Sequence, residues 1–136
     1  MDESQANQAA LAQGRNFVWH ELNTTSQQDS IAFYTEALDF GTLSMDMGEM
    51  GPYNMLTRNG VPVCGVTSQG QVPNGNVPSH WSTYLAVDDV DARIEKCTSL
   101  GATVVVPAMD VPTVGRMAMI KDPQGAHIWL FKPDMG

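Results

Sequence analysis

Near the end of the chain, "DPQGAHIWLF" (122–131) places His127, Trp129 and Phe131 two residues apart behind a tight turn. Residues two apart in a strand share a face. An imidazole, an indole and a phenyl ring therefore stand in a row, and Ala126, Ile128 and Leu130 take the opposite face. His127 could pass a proton near neutral pH or anchor a ligand; a hydrogen-bonded structural histidine is the plainer alternative. "FVWHELNT" (17–24) repeats the pattern, with Trp19 and Glu21 on one face. A carboxylate beside an indole and away from bulk water would gain proton affinity and could act as a base. A structural Glu answering Arg116 or a backbone amide accounts for it equally well. Arg116, in "VPTVGRM", is one of few cations and could grip a carboxylate or phosphate, or close an internal ion pair. Cys64 has no cationic neighbour in sequence to activate its thiol, so packing is its expected role.

The elements that must position these residues come twice. "FVWHELNT" has strand composition. "TSQQDSIAFYTEALDFG" reads as a helix capped by Thr25 or Ser26, with a buried stripe of Ile31, Tyr34 and Leu38 and an end at Gly41. "TLSMDM", "YNMLTR" and "VPVCGVT" follow as strands, the last two joined at Asn59-Gly60, a strong hairpin signal. After the turn-forming stretch "SQGQVPNGNVPSH" the order restarts with "WSTYLAV". A helix follows over "DDVDARIEKCTSLG", capped by Asp88 or Asp89 and burying Val90, Ile94 and Cys97, and then three more strands. The helix-closing glycines Gly41 and Gly101 lie 60 apart and the hairpin glycines Gly60 and Gly125 lie 65 apart. Matching offsets predict two related βαβββ modules. The expected organisation is a polar arm over 1–16, a first module over 17–67, a connector over 68–80 and a second module over 81–133, in one compact domain. Each sheet is covered on one face by its helix, and the remaining faces are expected to confront each other across a cleft.

The bulk properties exclude several classes. At 136 residues with 43% hydrophobic and 16% charged residues, the chain has a globular composition. A net charge of −8 without a basic stripe argues against nucleic acid. No apolar run is long enough to span a membrane and the first residues do not read as a signal peptide. Two cysteines without CxxC spacing suit reduced thiols, so a cytoplasmic location is expected. Met45 and Met47, like Met117 and Met119, sit two apart, as core filler or as a pliable ligand wall. There is no GxSxG, P-loop, GxGxxG or HExxH motif.

The helix "SIAFYTEALDFG", the opening "YLAVDDVDARIEKCTSLGA" and the terminal "DPQGAHIWLF" together resemble the vicinal-oxygen-chelate superfamily, which includes glyoxalase I, bleomycin-resistance proteins and extradiol dioxygenases. The resemblance covers about residues 17–133 and looks closest to short members in which a VPxMDVPxVGRMA pattern, here "VPAMDVPTVGRMA", precedes "DPQG". It implies an α+β fold whose two modules form an eight-stranded, mainly antiparallel, half-barrel-like sheet pair around a central cleft. Metal-using members carry one ligand on the first and one on the last strand of each module. Those positions fall here at Trp19, Ser82 and Trp129, with Cys64 as the fourth, or Gly65 if the register shifts by one. Indoles are not ligands, and a thiol with a hydroxyl cannot hold a divalent ion. A set of His20, His127 and Glu21 is opposed by alternation, because His20 and Glu21 are neighbours in a strand.

The resemblance therefore implies a metal-free small-molecule binder, with no cofactor expected. Trp19 and Trp129 would stack a hydrophobic or aromatic ligand, Phe131 would extend the ring surface, and Tyr53, Ser82 and Tyr84 would add hydroxyls. The alternative is a glyoxalase- or isomerase-type enzyme, similar to lactoylglutathione lyase, with Glu21 and His127 as acid–base groups and either no metal or a divalent ion held in some other way. A third reading is a filled cleft with a scaffold role. The resemblance also implies a homodimer.

Overall fold

The computed structural model describes residues 16–68 and 78–134. The polar arm and the connector expected over 68–80 lie outside the described residues, except at 16, 68 and 78–80. Eight strands and two helices occur in the expected order: β1 (Phe17–Thr24), α1 (Gln27–Leu38), β2 (Gly41–Asp46), β3 (Pro52–Arg58), β4 (Val61–Ser68), β5 (His80–Ala86), α2 (Val90–Ser99), β6 (Thr103–Val111), β7 (Gly115–Lys121) and β8 (His127–Pro133). They fall into two compact units, one over Trp19–Trp81 and one made of 16–18 with 82–134.

Within the first unit the strand order is β2-β3-β4-β1, antiparallel except for the parallel pair β1–β4. Ser26 caps α1 by accepting from the Asp29 amide, at 3.2 Å. The helix ends at Asp39, whose φ of 60° is left-handed. Gly41, expected to close the helix, instead opens β2. Ile31, Tyr34 and Phe40 pack on a core of Leu22, Leu56, Cys64 and Val66. Leu38, expected in that stripe, is exposed. It comes last in the helix, beyond the turns that lie on the sheet.

The second unit repeats the plan as β5-β8-β7-β6, with β5 parallel to β8. Asp89 caps α2 through the Ala92 amide. The helix packs against β6, β7 and β8. Leu85 opposite Leu130 holds the place that Leu22 opposite Val66 holds in the first unit. Alternation thus sorts each sheet into a helix-side face and a second face, and most of the residues that could do chemistry, Cys64 and Arg116 excepted, collect on the second.

Candidate functional site

In the first unit the second face carries Trp19, Glu21 and Asn23 from β1, Tyr53 from β3 and Gly65 and Thr67 from β4. Glu21 pairs with Gly65, and Met55 pairs with Gly65 from the other side. Tyr53, two residues from Met55, stands diagonal to that glycine. Its ring crosses β4 at Gly65, where a Cβ would overlap the phenol hydroxyl. The absence of a side chain lets a residue on β3 reach β1, a span on the order of 10 Å across two strand spacings.

The result is a directed chain of hydrogen bonds. Trp19 Nε1 donates to the Tyr53 hydroxyl at 3.0 Å, and that hydroxyl donates to Glu21 Oε2 at 2.7 Å. The second bond has the length of a charge-assisted contact. Burial and the Glu21 carboxylate together push the Tyr53 phenol well above its ordinary range, so it remains a donor. Glu21 is 6% exposed, and Tyr53 and Trp19 are half-buried. Beyond them the Thr67 hydroxyl donates to Asn23 Oδ1 at 3.0 Å.

Cys64 does not join this group. It lies on the opposite face in the core beneath α1, and Gly65 takes the position that the one-residue register shift allows. Burial, with Glu21 as a smaller contribution, raises its thiol, so it stays protonated and unreactive.

In the second unit the second face is built from rings and thioethers. Tyr84 and Trp129, cross-strand neighbours, stack at 5.2 Å with their planes 9° apart. Phe131 meets Tyr84 edge-on at 6.1 Å. Met117 opposite Phe131 and Met119 opposite Trp129 complete the layer, and alternation sets Ser82 on the same face as Tyr84. Trp129 is 5% exposed, and its Nε1 is buried without a hydrogen-bond partner.

Arg116 and His127 stand apart from both groups. Arg116 donates twice to Asp91, at 2.8 and 2.9 Å, and lies 3.1 Å from Asp110. These carboxylates raise the guanidinium further above its usual value, and Arg116 in turn lowers Asp91. The internal ion pair, of the two roles open to Arg116, is the one formed. His127, expected on the inward ring face, is exposed at the first position of β8 opposite Lys121. Strand ends leave the covered part of a sheet, so sharing a face with Trp129 does not bury it.

A groove of about 470 Å³ lies elsewhere on the first unit, beside the start of α1, with Phe33, Tyr34, His80 and Trp81 in its wall. Several of its hydroxyls bond locally: Thr24 with Ser30, and Ser79 with the Thr25 amide.

The donor set does not suit a divalent ion. Trp19 and Trp129 offer N–H groups, Gly65 offers nothing, and Ser82 is a neutral hydroxyl. Among the described residues no three His, Cys, Asp or Glu side chains are grouped to hold one. Also among the described residues, no helix is long and apolar enough to cross a membrane.

The Tyr53 arrangement was missed from sequence, although a lone Gly65 inside the strand pattern "VPVCGVT" is the usual sign of close approach.

Comparison with known proteins gives a consistent result. The family profile described as "Glyoxalase/Bleomycin resistance protein/Dioxygenase superfamily" matches residues 16–130. A Mycobacterium tuberculosis protein named "Putative glyoxylase CFP32" is 37% identical over 115 residues, covering 84% of this chain and 44% of that protein. The anthracycline biosynthesis protein DnrV of Streptomyces peucetius is 31% identical over 121 residues, covering 79% of this chain and 43% of that one. The chain spans less than half the length of these curated relatives. Among solved structures, a methylmalonyl-CoA epimerase from Mycobacterium tuberculosis superposes with a TM-score of 0.57 at 18% identity, over 87% of this chain and 89% of that one. At that identity the likeness is one of fold.

Proposed function

The chain belongs to the glyoxalase/bleomycin resistance protein/dioxygenase superfamily, and from that premise we propose that it is a small-molecule-binding member that works without a metal ion and takes a planar, largely apolar ligand. The observation that carries this reading is the ring layer of the second unit, where Tyr84 and Trp129 lie parallel at 5.2 Å and methionines complete the wall. The two rings are stacked on each other, so a conjugated molecule would extend the stack rather than enter it, and thioethers adapt to its outline. The relative named for anthracycline biosynthesis supports a polycyclic ligand. Titration of the full chain with planar aromatic compounds, read by tryptophan fluorescence, tests it. Saturable quenching is expected, and Trp129→Ala should weaken it about tenfold, the equivalent of one lost aromatic contact. Unchanged affinity in that variant removes the reading.

One observation favours a second reading, an enzyme that moves a proton next to a carbonyl. Glu21 is a buried carboxylate oriented by the Tyr53 hydroxyl at 2.7 Å, and a general base needs a fixed position before it needs anything else. The relative named as a glyoxylase is in keeping with this. Glu21 would be the base and Tyr53 the group that positions it; the exposed His127 takes no part. The test is exchange of a substrate α-hydrogen with D2O, expected to fall at least about a hundredfold in Glu21→Gln. Exchange that survives that change rules the role out.

A further inference from the structure

The indole N–H of Trp129 is the starting point. Its nitrogen is buried and unpartnered on a residue 5% exposed. Buried donors in folded proteins are almost always satisfied, so an orphan at this position calls for an acceptor. The side chains that share its face nearby are the stacked Tyr84 ring, the Phe131 ring and the thioethers of Met117 and Met119, while Ser82 and Tyr84, which bring hydroxyls to that face, have partners of their own. Thioether sulfur is only a weak acceptor. A lone water would need two or more polar partners to be held there, and the rings and thioethers that flank the indole are unsuited to supply them. The missing acceptor is therefore best supplied by an apolar molecule that brings its own oxygen.

Charge narrows the class. The chain carries −8 overall, and Arg116 in this unit is already matched by Asp91 and Asp110. An anionic oxygen would meet an unfavourable field, and among the described residues of this unit Arg93 and Arg116 are both already paired with aspartates. A neutral carbonyl oxygen meets no such penalty, and conjugation to flat rings suits the parallel stack. We infer that Trp129 Nε1 is a recognition donor for planar, uncharged carbonyl compounds, such as aryl ketones or quinones, whose oxygen accepts its hydrogen bond. This rests on the binding reading above and adds the ligand's functional group and orientation.

A matched pair of probes tests it: 9-fluorenone, and fluorene, which has the same flat outline without the oxygen. Wild type is expected to bind fluorenone about tenfold more tightly than fluorene, one neutral hydrogen bond's worth of discrimination. Trp129→Phe should reduce that preference to about one, since any stacking it loses is lost by both probes alike, and its circular dichroism spectrum should report that the variant is folded. Trp81→Phe should keep the preference. In the unmodified protein, the Trp129 indole N–H resonance should move downfield with fluorenone and not with fluorene. Equal binding of the two probes, or a preference that survives Trp129→Phe, overturns this inference and leaves the binding reading standing. Failure of both probes to bind overturns the two together.

Discussion

The two βαβββ units share one strand plan, yet their second faces solve the polar problem in opposite ways. The first closes a chain from indole to phenol to carboxylate, so its donors are matched. The second packs rings and methionines and leaves one indole nitrogen without an acceptor. The helix-side faces of the two units, by contrast, are both predominantly apolar core. A repeated fold therefore constrains the side that builds the core and leaves the other free to diverge, which is where function is free to change.

The largest expected effects come from the glycines that admit each unit's close contacts. In Gly115→Ala, a residue at φ +152° would gain a Cβ facing the Lys132 carbonyl and the Phe131 ring. Backbone cannot yield as a side chain can, so a loss of about 3 kcal/mol or more is expected in urea denaturation. Gly65→Ala meets the hydroxyl and outer ring carbons of Tyr53, a side chain that can swing away at the expense of its two hydrogen bonds. About 2 kcal/mol is expected there, with greater exposure of Trp19 in its emission spectrum. A negligible cost for Gly65→Ala would show that Tyr53 is not pinned across the strand, and the contrast between the units would weaken.

A finer test removes single polar atoms. Tyr53→Phe leaves the buried Glu21 without its phenol donor and should cost about 2 kcal/mol. Replacing an indole by the isosteric benzothiophene of 3-benzothienylalanine deletes only the N–H. At Trp19 this should cost about 1 kcal/mol, because a made bond is lost; at Trp129 it should cost nothing or stabilise, because none was made. Equal costs at the two positions would break the comparison. The pH dependence follows from the same bond. The folded phenol is raised, so its contribution is complete below the unfolded value of about 10 and is lost as pH climbs from there toward the folded value. Wild type should therefore lose its advantage over Tyr53→Phe in alkaline denaturation, and keep it at neutral pH.

The fold was legible because each element announces itself locally. Ser26 and Asp89 cap helices whose apolar spacing is helical, and Asn59-Gly60 turns a hairpin with φ values of 55° and 80°. The faces of β1 and β8 were also legible, since alternation alone sets Glu21 beside Trp19. The site was only partly so. Cys64 and Gly65 differ by one residue, and a one-residue change of register moves a side chain to the other face. Tyr53 acts two strands from its own, and the lone Gly65 marks a close approach without saying which side chain makes it. Whether Arg116 meets a ligand or two aspartates depends on Asp91 and Asp110, which lie in different elements.

The smallest effects should come from the arginine straps, which differ between the units as their faces do. Arg116 ties α2 to β6 and β7 through charge, bonding Asp91 and lying 3.1 Å from Asp110 near the surface. Arg58 ties α1 to β3 without a carboxylate, donating to the Leu38 carbonyl at 3.1 Å and lying 4.5 Å above the Phe40 ring. An exposed ion pair is screened by salt, whereas stacking and a bond to a helix-end carbonyl depend on it far less. Arg116→Ala should lower Tm slightly in dilute buffer, and the loss should shrink at about 1 M salt, where the screening length is about 3 Å. Arg58→Ala should give a loss that barely changes over the same range. If both variants respond to salt alike, the Arg58 contact is electrostatic too, and the straps no longer distinguish the units.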